Sequence, residues 1–198
     1  MRLDNLFDDL ASQLEREMSA DEVDVGVEEE RMRLSRLTVR DRLVALLAGD
    51  PAYRTVSLVL RPDERVRVVP DTVGRDWMSA ELVDDGSRPR NCIIPLASIA
   101  GVALEEHHIA QSLQPPPSAS SVPALTDRLS LAFVLRDLGR RRAAVDVTLS
   151  AGTIHGTIDR VGRDHFDLAV HDRGEPRRNS AVRMYRLVPF AELAWLTL

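Results

Sequence analysis

The chain contains two stretches in which apolar residues first follow a helical pattern and then a strand pattern. In the first stretch, Leu43, Leu46 and Leu47 recur at the spacing of one helix face, between the capping residue Thr38 and Gly49. Apolar residues then alternate with their neighbours, with the period of two that is typical of a strand, at Val56, Leu58 and Leu60. The pattern therefore predicts a helix followed by a strand with one buried face.

The second stretch has the same order of patterns. Thr126 can cap a helix that carries Leu129, Phe133 and Leu138 and ends near Gly139. Alternation follows at Val145, Val147 and Leu149. Further strands are predicted around Ile154 and Ile158, over Phe166–Val170, Val182–Leu187 and Leu193–Leu198.

Short matching sequences indicate that the two stretches are copies of one unit. The tetrapeptide Val-Gly-Arg-Asp occurs at Val73–Asp76 and again 88 residues later at Val161–Asp164. Three further pairs of segments match in the same order: Asp41–Leu43 with Asp127–Leu129, Val56–Leu60 with Val145–Leu149, and Ile94–Ala100 with Val188–Ala194. We therefore predict an internal duplication, with one copy at residues 38–104 and the other at residues 125–198.

A helix followed by about five short antiparallel strands is typical of a small barrel. The segment Val145–Leu168 resembles the first half of an Sm-like, SH3-type barrel, with a glycine turn at Gly152, a second strand bearing Gly156 and then an aspartate-containing turn. In that family an asparagine after this turn helps to bind uridine, whereas this chain has Asp167 there. The resemblance implies a mainly β fold with helices (α+β): two duplicated helix-plus-small-β-barrel units behind an N-terminal helical segment.

Two segments lie outside the predicted repeats. Residues 1–37 form an acidic N-terminal segment with an apolar stripe at helical spacing, made of Leu3, Phe7, Leu10 and Leu14. This stripe is expected to pack on a barrel, on another copy of the chain or on a protein partner. Residues 105–124 include three consecutive prolines and several serines, so they are predicted to be an extended linker.

Charge and composition exclude several classes of protein. The net charge is −5, and residues 1–50 carry −6 while residues 111–142 carry +3, which does not give the strongly basic field of a committed DNA-binding protein. All 26 basic residues are arginine, a bias that is typical of a GC-rich genome, and the whole chain resembles an uncharacterised actinobacterial protein family. Apolar stretches are too short to cross a membrane, and a single cysteine fits a cytoplasmic protein without disulfides.

No catalytic motif emerges from the sequence. It contains no phosphate-binding loop, no dinucleotide fingerprint and no nucleophile elbow. Cys92 lies in an apolar strand-like run, which favours a buried and inert thiol. Asp164, His165, Asp167 and His171 are close in sequence but irregularly spaced for metal ligands. We therefore expect a protein that is not an enzyme and that binds neither a cofactor nor a metal.

Arginines in matching loops of the two repeats are the candidate functional residues. They are Arg75, Arg88 and Arg90 in the first repeat and Arg163, Arg177 and Arg178 in the second. Arginine stays charged and pairs its planar donors with phosphate, so these loops predict weak binding of nucleic acid or a ribonucleoprotein. The alternative is a protein–protein adaptor or oligomerisation scaffold that uses the N-terminal stripe. The chain is also a candidate homo-oligomer.

Overall fold

The computed structural model describes residues 26–61, 63–83, 89–115, 125–174, 178 and 180–198. The chain divides into two compact units, Met1–Val39 and Arg40–Leu198. In the first unit, the described residues include one helix, α1 (residues 26–35). Two exposed ion pairs, Arg31 with Glu28 and Arg33 with Glu30, each join residues about one turn apart along α1.

The chain from α2 onward has an α+β fold. Its helices are α2 (Val39–Ala48), α3 (Glu106–Ser112), α4 (Leu125–Arg128) and α5 (Leu131–Arg141). Its strands are β1 (Val56–Leu60), β2 (Glu64–Val73), β3 (Trp77–Leu82), β4 (Arg90–Pro95), β5 (Ile99–Ala103), β6 (Ala144–Leu149), β7 (Gly152–Val161), β8 (His165–Val170), β9 (Met184–Pro189) and β10 (Leu193–Thr197). Short 3₁₀ helices occupy Pro51–Tyr53, Leu96–Ser98 and Phe190–Glu192.

All ten strands belong to one antiparallel sheet. Their order is β5-β1-β2-β3-β4-β10-β6-β7-β8-β9, so β5 and β9 are its edges. Two halves of the sheet are joined where β4 pairs with β10. We call α2, α3 and β1–β5 the first half, and α4, α5 and β6–β10 the second half. Each half has the same strand order, because its fifth strand pairs with its first and the others follow in sequence.

Corresponding connections in the two halves also have the same geometry. β4 ends at Pro95 and β9 ends at Pro189, and each proline is followed by a three-residue 3₁₀ helix and the last strand of its half. The turns between the second and third strands of each half match as well. In the second half, the turn from β6 to β7 needs a glycine, because Gly152 has φ +116°.

Each half has its own apolar core, and at the junction each half also contributes residues to the core of the other. Leu43 and Leu46 of α2 are buried in the first core, as the helical pattern predicts. In the second core, α5 contributes Leu131, Leu135 and Leu138. Trp77 and Ile93 of the first half belong to the second core, whereas Ala194 and Trp195 of the second half belong to the first. The junction is therefore packed as well as hydrogen-bonded.

The expectation of two closed barrels is wrong. Within the described residues, the sheet is open and neither β5 nor β9 pairs with a strand on its outer side. The reason is that β4, which ends the first half, pairs with β10 of the second half instead of closing on its own half. The two cores therefore belong to one continuous sheet.

The helical region at the start of the second half also differs from its prediction. It is broken into α4 and α5, and Ser130 takes the N-cap position of α5. Phe133 lies on the exposed face, with 54% of its surface accessible, and Leu131 and Leu135 take the buried positions instead. Helix α3 lies within residues 105–124, which we interpreted as a linker, and residues 116–124 fall outside the described residues.

Candidate anion-binding site

The two Val-Gly-Arg-Asp turns have the same backbone geometry. In the first, the N–H of Gly74 donates to the C=O of Trp77 (2.8 Å), and in the second the N–H of Gly162 donates to the C=O of His165 (2.8 Å). A Cβ atom at Gly74 would lie 2.3 Å from the Trp77 indole, and one at Gly162 would lie 2.6 Å from the His165 ring. An aromatic ring folds back over each turn, so a side chain at either glycine would have to displace that ring.

The first of these turns is hydrogen-bonded to residues of the second half of the protein. The backbone N–H of Arg75 donates to the C=O of Leu129 (3.1 Å), and the Trp77 indole N–H donates to the same oxygen (2.9 Å). The Asp76 carboxylate accepts from the backbone N–H of Leu131 (2.7 Å), so it caps the start of α5. These contacts give the repeated tetrapeptide a structural role.

The aspartate of the second turn has a different partner. The Asp164 carboxylate lies 2.8 Å from Nδ1 of His165, because the chain continues directly into β8 at that residue. Hydrogen bonding to His165 lowers the pKa of Asp164 below its usual value. Arg163, between Gly162 and Asp164, has an exposed side chain.

The candidate arginines do not all converge on one surface. Arg75 precedes β3, whereas Arg90 pairs with Leu82 at the far end of that strand. A six-residue strand is about 20 Å long, so the two arginines are at opposite ends of the sheet. Arg163 and Arg178 are likewise on opposite sides of β8 in the chain, in the turn before it and the loop after it. Arg88 and Arg177 lie outside the described residues.

One of the candidates, Arg90, lines a pocket in the first half together with two arginines that the sequence analysis missed. Those residues are Arg65 and Arg67 of β2, and all three arginines have exposed side chains. The remaining walls are formed by Glu64, Val66, Leu82, Val83 and Trp195. β2 and β4 flank β3, so their backbones lie about 10 Å apart.

Arginine predominates among the described residues that line this pocket, which we call the arginine pocket. They include three arginines and one acidic residue, Glu64, in a chain whose overall charge is −5. Partial burial raises the pKa of Glu64, the one carboxylate among the described lining residues. Positively charged residues therefore outnumber negatively charged ones among the described residues that line the arginine pocket.

The pattern of exposure along β2 could have revealed Arg65 and Arg67. They are two residues apart in a strand, so both side chains leave the sheet on the same face, opposite to Glu64 and Val66. Arg90 is distant in sequence and lines the same opening because β3 carries β4 to within two strands of β2. It pairs with Leu82, which pairs with Val68, so its side chain leaves the sheet on the face opposite to Arg65 and Arg67. The sequence could therefore indicate a basic strand face, but not the pocket.

In the second half, the position that corresponds to Arg67 is occupied by His155, which belongs to a different polar cluster. Arg67 pairs with Ser57, the second residue of β1, and His155 pairs with Asp146 near the start of β6. Asp146 binds Nδ1 of His155 (2.7 Å) and the guanidinium of Arg173 (2.8 Å). Within this polar cluster the Asp146 carboxylate is paired with a guanidinium, unlike the arginine-rich lining at the corresponding place in the first half.

Two buried polar groups extend the cluster in the second half. His171 is buried, its Nε2 lies 2.9 Å from the Thr157 hydroxyl, and its Nδ1 lies 3.0 Å from the C=O of Asp172. Its ring contacts that of His155 edge-to-face at 5.2 Å. Both nitrogens of His171 have partners, so its burial directly after β8 is explained by its hydrogen bonds.

The single cysteine is placed as the sequence predicts. Cys92 is buried in the first core, and its thiol donates to the C=O of Ala80 (3.3 Å). Burial raises the pKa of Cys92 to about 11, so the thiolate needed for nucleophilic chemistry is scarce at neutral pH. Among the residues that the structure describes, no group of three or more His, Cys, Asp or Glu side chains could hold a metal ion.

The predicted apolar stripe of Leu3, Phe7, Leu10 and Leu14 lies outside the described residues. None of the described helices is long and apolar enough to cross a membrane. Comparison with protein-family models, with curated proteins and with solved structures finds no match to this chain. The fold and the arginine pocket are therefore the basis for a candidate function.

Proposed function

We propose that this chain is a non-catalytic binding protein that holds single-stranded nucleic acid through the arginine pocket. The observation that carries the proposal is the grouping of Arg65, Arg67 and Arg90 around one opening in an otherwise acidic chain. Guanidinium groups remain charged at every physiological pH and donate two parallel hydrogen bonds to a phosphate. Three of them around one pocket suit a phosphate backbone better than a single small anion.

We also propose that the two halves are copies of one small unit related to Sm-like and SH3-type barrels, opened and joined into a single sheet. The shared strand order, the matched turns at Gly74 and Gly162, and the matched proline–3₁₀ connections support this proposal. After duplication, one copy can keep a binding surface while the other changes. The Asp146 cluster at the position of the arginine pocket, in which the carboxylate is paired with a guanidinium, fits such a divergence.

The proposed contact has a defined salt dependence. About three phosphate contacts on a single strand give a slope of about −2 for log K against log salt. Affinity is therefore expected to fall about 20-fold between about 50 and 200 mM salt. The net charge of −5 opposes long-range attraction of a polyanion, so the affinity is expected to be modest.

Replacing two arginines of the pocket is expected to remove most of this binding. In the double variant Arg65→Gln with Arg67→Gln, affinity for a fluorescent single-stranded RNA should fall more than about tenfold at low salt, and the slope should fall to about −0.7. The matched control is Arg75→Gln with Arg163→Gln, which removes the same charge from two exposed positions outside the pocket. This control is expected to keep a slope close to that of the wild type in anisotropy titrations.

Two outcomes would contradict the proposal. Absence of binding to single-stranded RNA and DNA at low salt would exclude nucleic acid as the ligand. An equal loss in both double variants would show that binding depends on total charge and not on the pocket. Association with a protein that is insensitive to salt would favour the adaptor function of the N-terminal stripe instead.

A further inference from the structure

A groove lies between α5 and the sheet, beside the junction of the two halves, and we call it the junction groove. Its floor includes Ser79 of β3 and Asn91 and Ile93 of β4, and α5 forms one wall through residues that include Val134 and Leu138. Its volume is about 760 Å³, within the range of about 300–1,000 Å³ that is typical of small-molecule sites. The described residues that line it are all different from those of the arginine pocket, so a ligand here is independent of the proposed binding of nucleic acid.

Asp71 reaches the edge of the junction groove through a β-bulge in β2. Pro70 pairs with Ala80 of β3 and Thr72 pairs with the adjacent Ser79, so Asp71 is an extra residue without a partner on β3. A bulge changes the direction of a side chain, and here the Asp71 carboxylate accepts a hydrogen bond from the Ser79 hydroxyl (3.1 Å). The Thr72 hydroxyl donates to the same carboxylate oxygen (3.1 Å). Two neutral donors therefore hold an exposed carboxylate at the groove.

The second half has the same bulge, but there the chain supplies a cation beside it. Arg160 of β7 pairs with Asp167 of β8 and the register shifts just before it, so Asp159 corresponds to Asp71 and Arg160 corresponds to Thr72. The Arg160 guanidinium lies 3.8 Å from the Asp167 carboxylate. Among the described residues, no arginine or histidine pairs with Asp71. The first half therefore has the acidic bulge residue without the cation that follows it in the second half.

The charged residues on the helical wall of the groove neutralise each other. The Asp137 carboxylate lies 2.6 Å from the guanidinium of Arg141 and 2.6 Å from that of Arg140. Asp137 and Arg141 both line the groove. Among the described lining residues, Asp71 is therefore the one carboxylate that has only neutral partners. A ligand of the groove is expected to bring a positive group to this carboxylate.

Apolar side chains form much of the remaining surface of the groove. Ile93, Leu138 and Trp77 belong to the second core and each is 8% exposed or less, and Val134 packs against the same core. The Trp77 ring is held in place because its indole N–H is hydrogen-bonded to the second half. These residues give a fixed apolar surface near a carboxylate, and this combination suits a ligand that has an apolar body and a polar end.

We propose that the junction groove binds a small organic cation with an apolar body. The ammonium or guanidinium group of the ligand pairs with Asp71, and it provides the positive charge that Arg160 provides in the second half. The apolar body lies on Ile93 and Val134, between the sheet and α5. Because a hydrogen bond between two charged groups is about twice as strong as a neutral one, Asp71 selects a cation over a neutral or anionic compound of the same shape.

Three probes with one apolar body and different charges test this selection: phenylbutylamine, phenylbutanol and phenylbutyrate. In two-dimensional NMR titrations of the full chain, the amine is expected to bind with a Kd of about 1 mM and at least about tenfold more tightly than the carboxylate. The indole N–H signal of Trp77, in the groove, should shift, whereas that of Trp195, in the arginine pocket, should not. No binding at about 10 mM amine, equal affinity for the carboxylate, or a shift of Trp195 alone would overturn the proposal.

Variants at the bulge test the role of Asp71. Asp71→Asn should weaken binding of phenylbutylamine about tenfold and leave binding of phenylbutanol unchanged. The matched control is Asp159→Asn, which removes the same charge from the corresponding bulge of the second half and should bind the amine like the wild type. Thr72→Arg introduces the cation that Arg160 supplies in the second half, so it should abolish the selection for the amine. An Asp71→Asn variant that still binds the amine with wild-type affinity would contradict the proposal.

Discussion

Replacing Phe166 with alanine is expected to lower the free energy of unfolding by about 3–5 kcal/mol. Phe166 is fully buried at the start of β8 and belongs to the second core, with α5 above it and the strands of the second half around it. Its ring lies 6.3 Å from that of Phe190, which also packs against this core. Removing the ring leaves a cavity that the surrounding strands can only partly fill, so the lost burial and the cavity both contribute.

Phe133→Ala is the matched control for this prediction. The helical pattern places Phe133 on the buried face, but in the structure its ring is 54% exposed on α5. Its replacement is therefore expected to change stability by less than about 0.5 kcal/mol. Urea denaturation of both variants measures the difference, provided that the slope of the unfolding free energy against urea is unchanged. Equal losses in the two variants would show that α5 is rotated relative to its described position.

Replacing Gly156 with alanine is expected to cost about 1–3 kcal/mol, although alanine adds only one methyl group. A Cβ atom at this position would lie 2.4 Å from the backbone oxygen of Ala169 and 3.1 Å from the Leu168 side chain. Gly156 pairs with Val170 on β8 and with Val145 on β6, so β7 cannot move aside without breaking ladders on both sides. The close approach of the two strands is what requires glycine here.

Gly101→Ala is the control for Gly156→Ala. Gly101 also lies in a strand, but a Cβ atom there meets nothing within 4 Å. Its replacement is expected to be neutral or slightly stabilising, because alanine has less backbone freedom in the unfolded chain. If both glycine variants lost the same stability, the close contact between β7 and β8 would be ruled out as the cause.

Local patterns were sufficient to predict several elements and turns. In β1 the apolar residues Val56, Leu58 and Leu60 occupy every second position, which is the pattern of a strand with one buried face. All three residues are buried in the structure. The repeated Val-Gly-Arg-Asp sequence predicted two similar turns, and Gly74 and Gly162 make the same hydrogen bond in both. These features depend on residues that are close together in the chain, so their chemistry is visible in the sequence.

Features that depend on distant contacts were missed. The break between α4 and α5 falls next to Leu129, whose C=O accepts hydrogen bonds from Arg75 and Trp77 of the other half. The pairing of β4 with β10 was not predicted for the same reason, because a local pattern of residues does not determine which other strand a strand pairs with. Closed barrels were predicted because each half alone has the pattern of one.

The candidate site was predicted only in part. Arg90 was predicted as a binding residue because it lies next to a basic loop. Arg65 and Arg67 were not, because no function was inferred from their alternation with apolar residues in β2. The pocket forms when β3 brings β2 and β4 together, and Trp195 reaches it from the second half across the junction. The pocket is lined by residues of β2, β3 and β4 and by Trp195 of the second half, so no single segment of the sequence reveals it.

The joining of the two halves through β4 and β10 is the central claim, because the core, the arginine pocket and the free edges all depend on it. A cysteine introduced at Thr197 tests it, since Cys92 is the only natural cysteine and lies opposite Thr197. The bond from Leu198 to Asn91 makes this a non-hydrogen-bonded pair, whose Cα atoms are about 4.5 Å apart and within the range for a disulfide.

The decisive measurement is the thiol count and mass of Thr197→Cys after refolding in a glutathione redox buffer. The expected result is loss of both thiols in a single chain that carries one internal disulfide. Thr148→Cys is the matched control, because Thr148 is similarly buried but lies on β6, beyond β10, and it should keep both thiols. Two free thiols in Thr197→Cys, or disulfides only between chains, would contradict the pairing of β4 with β10.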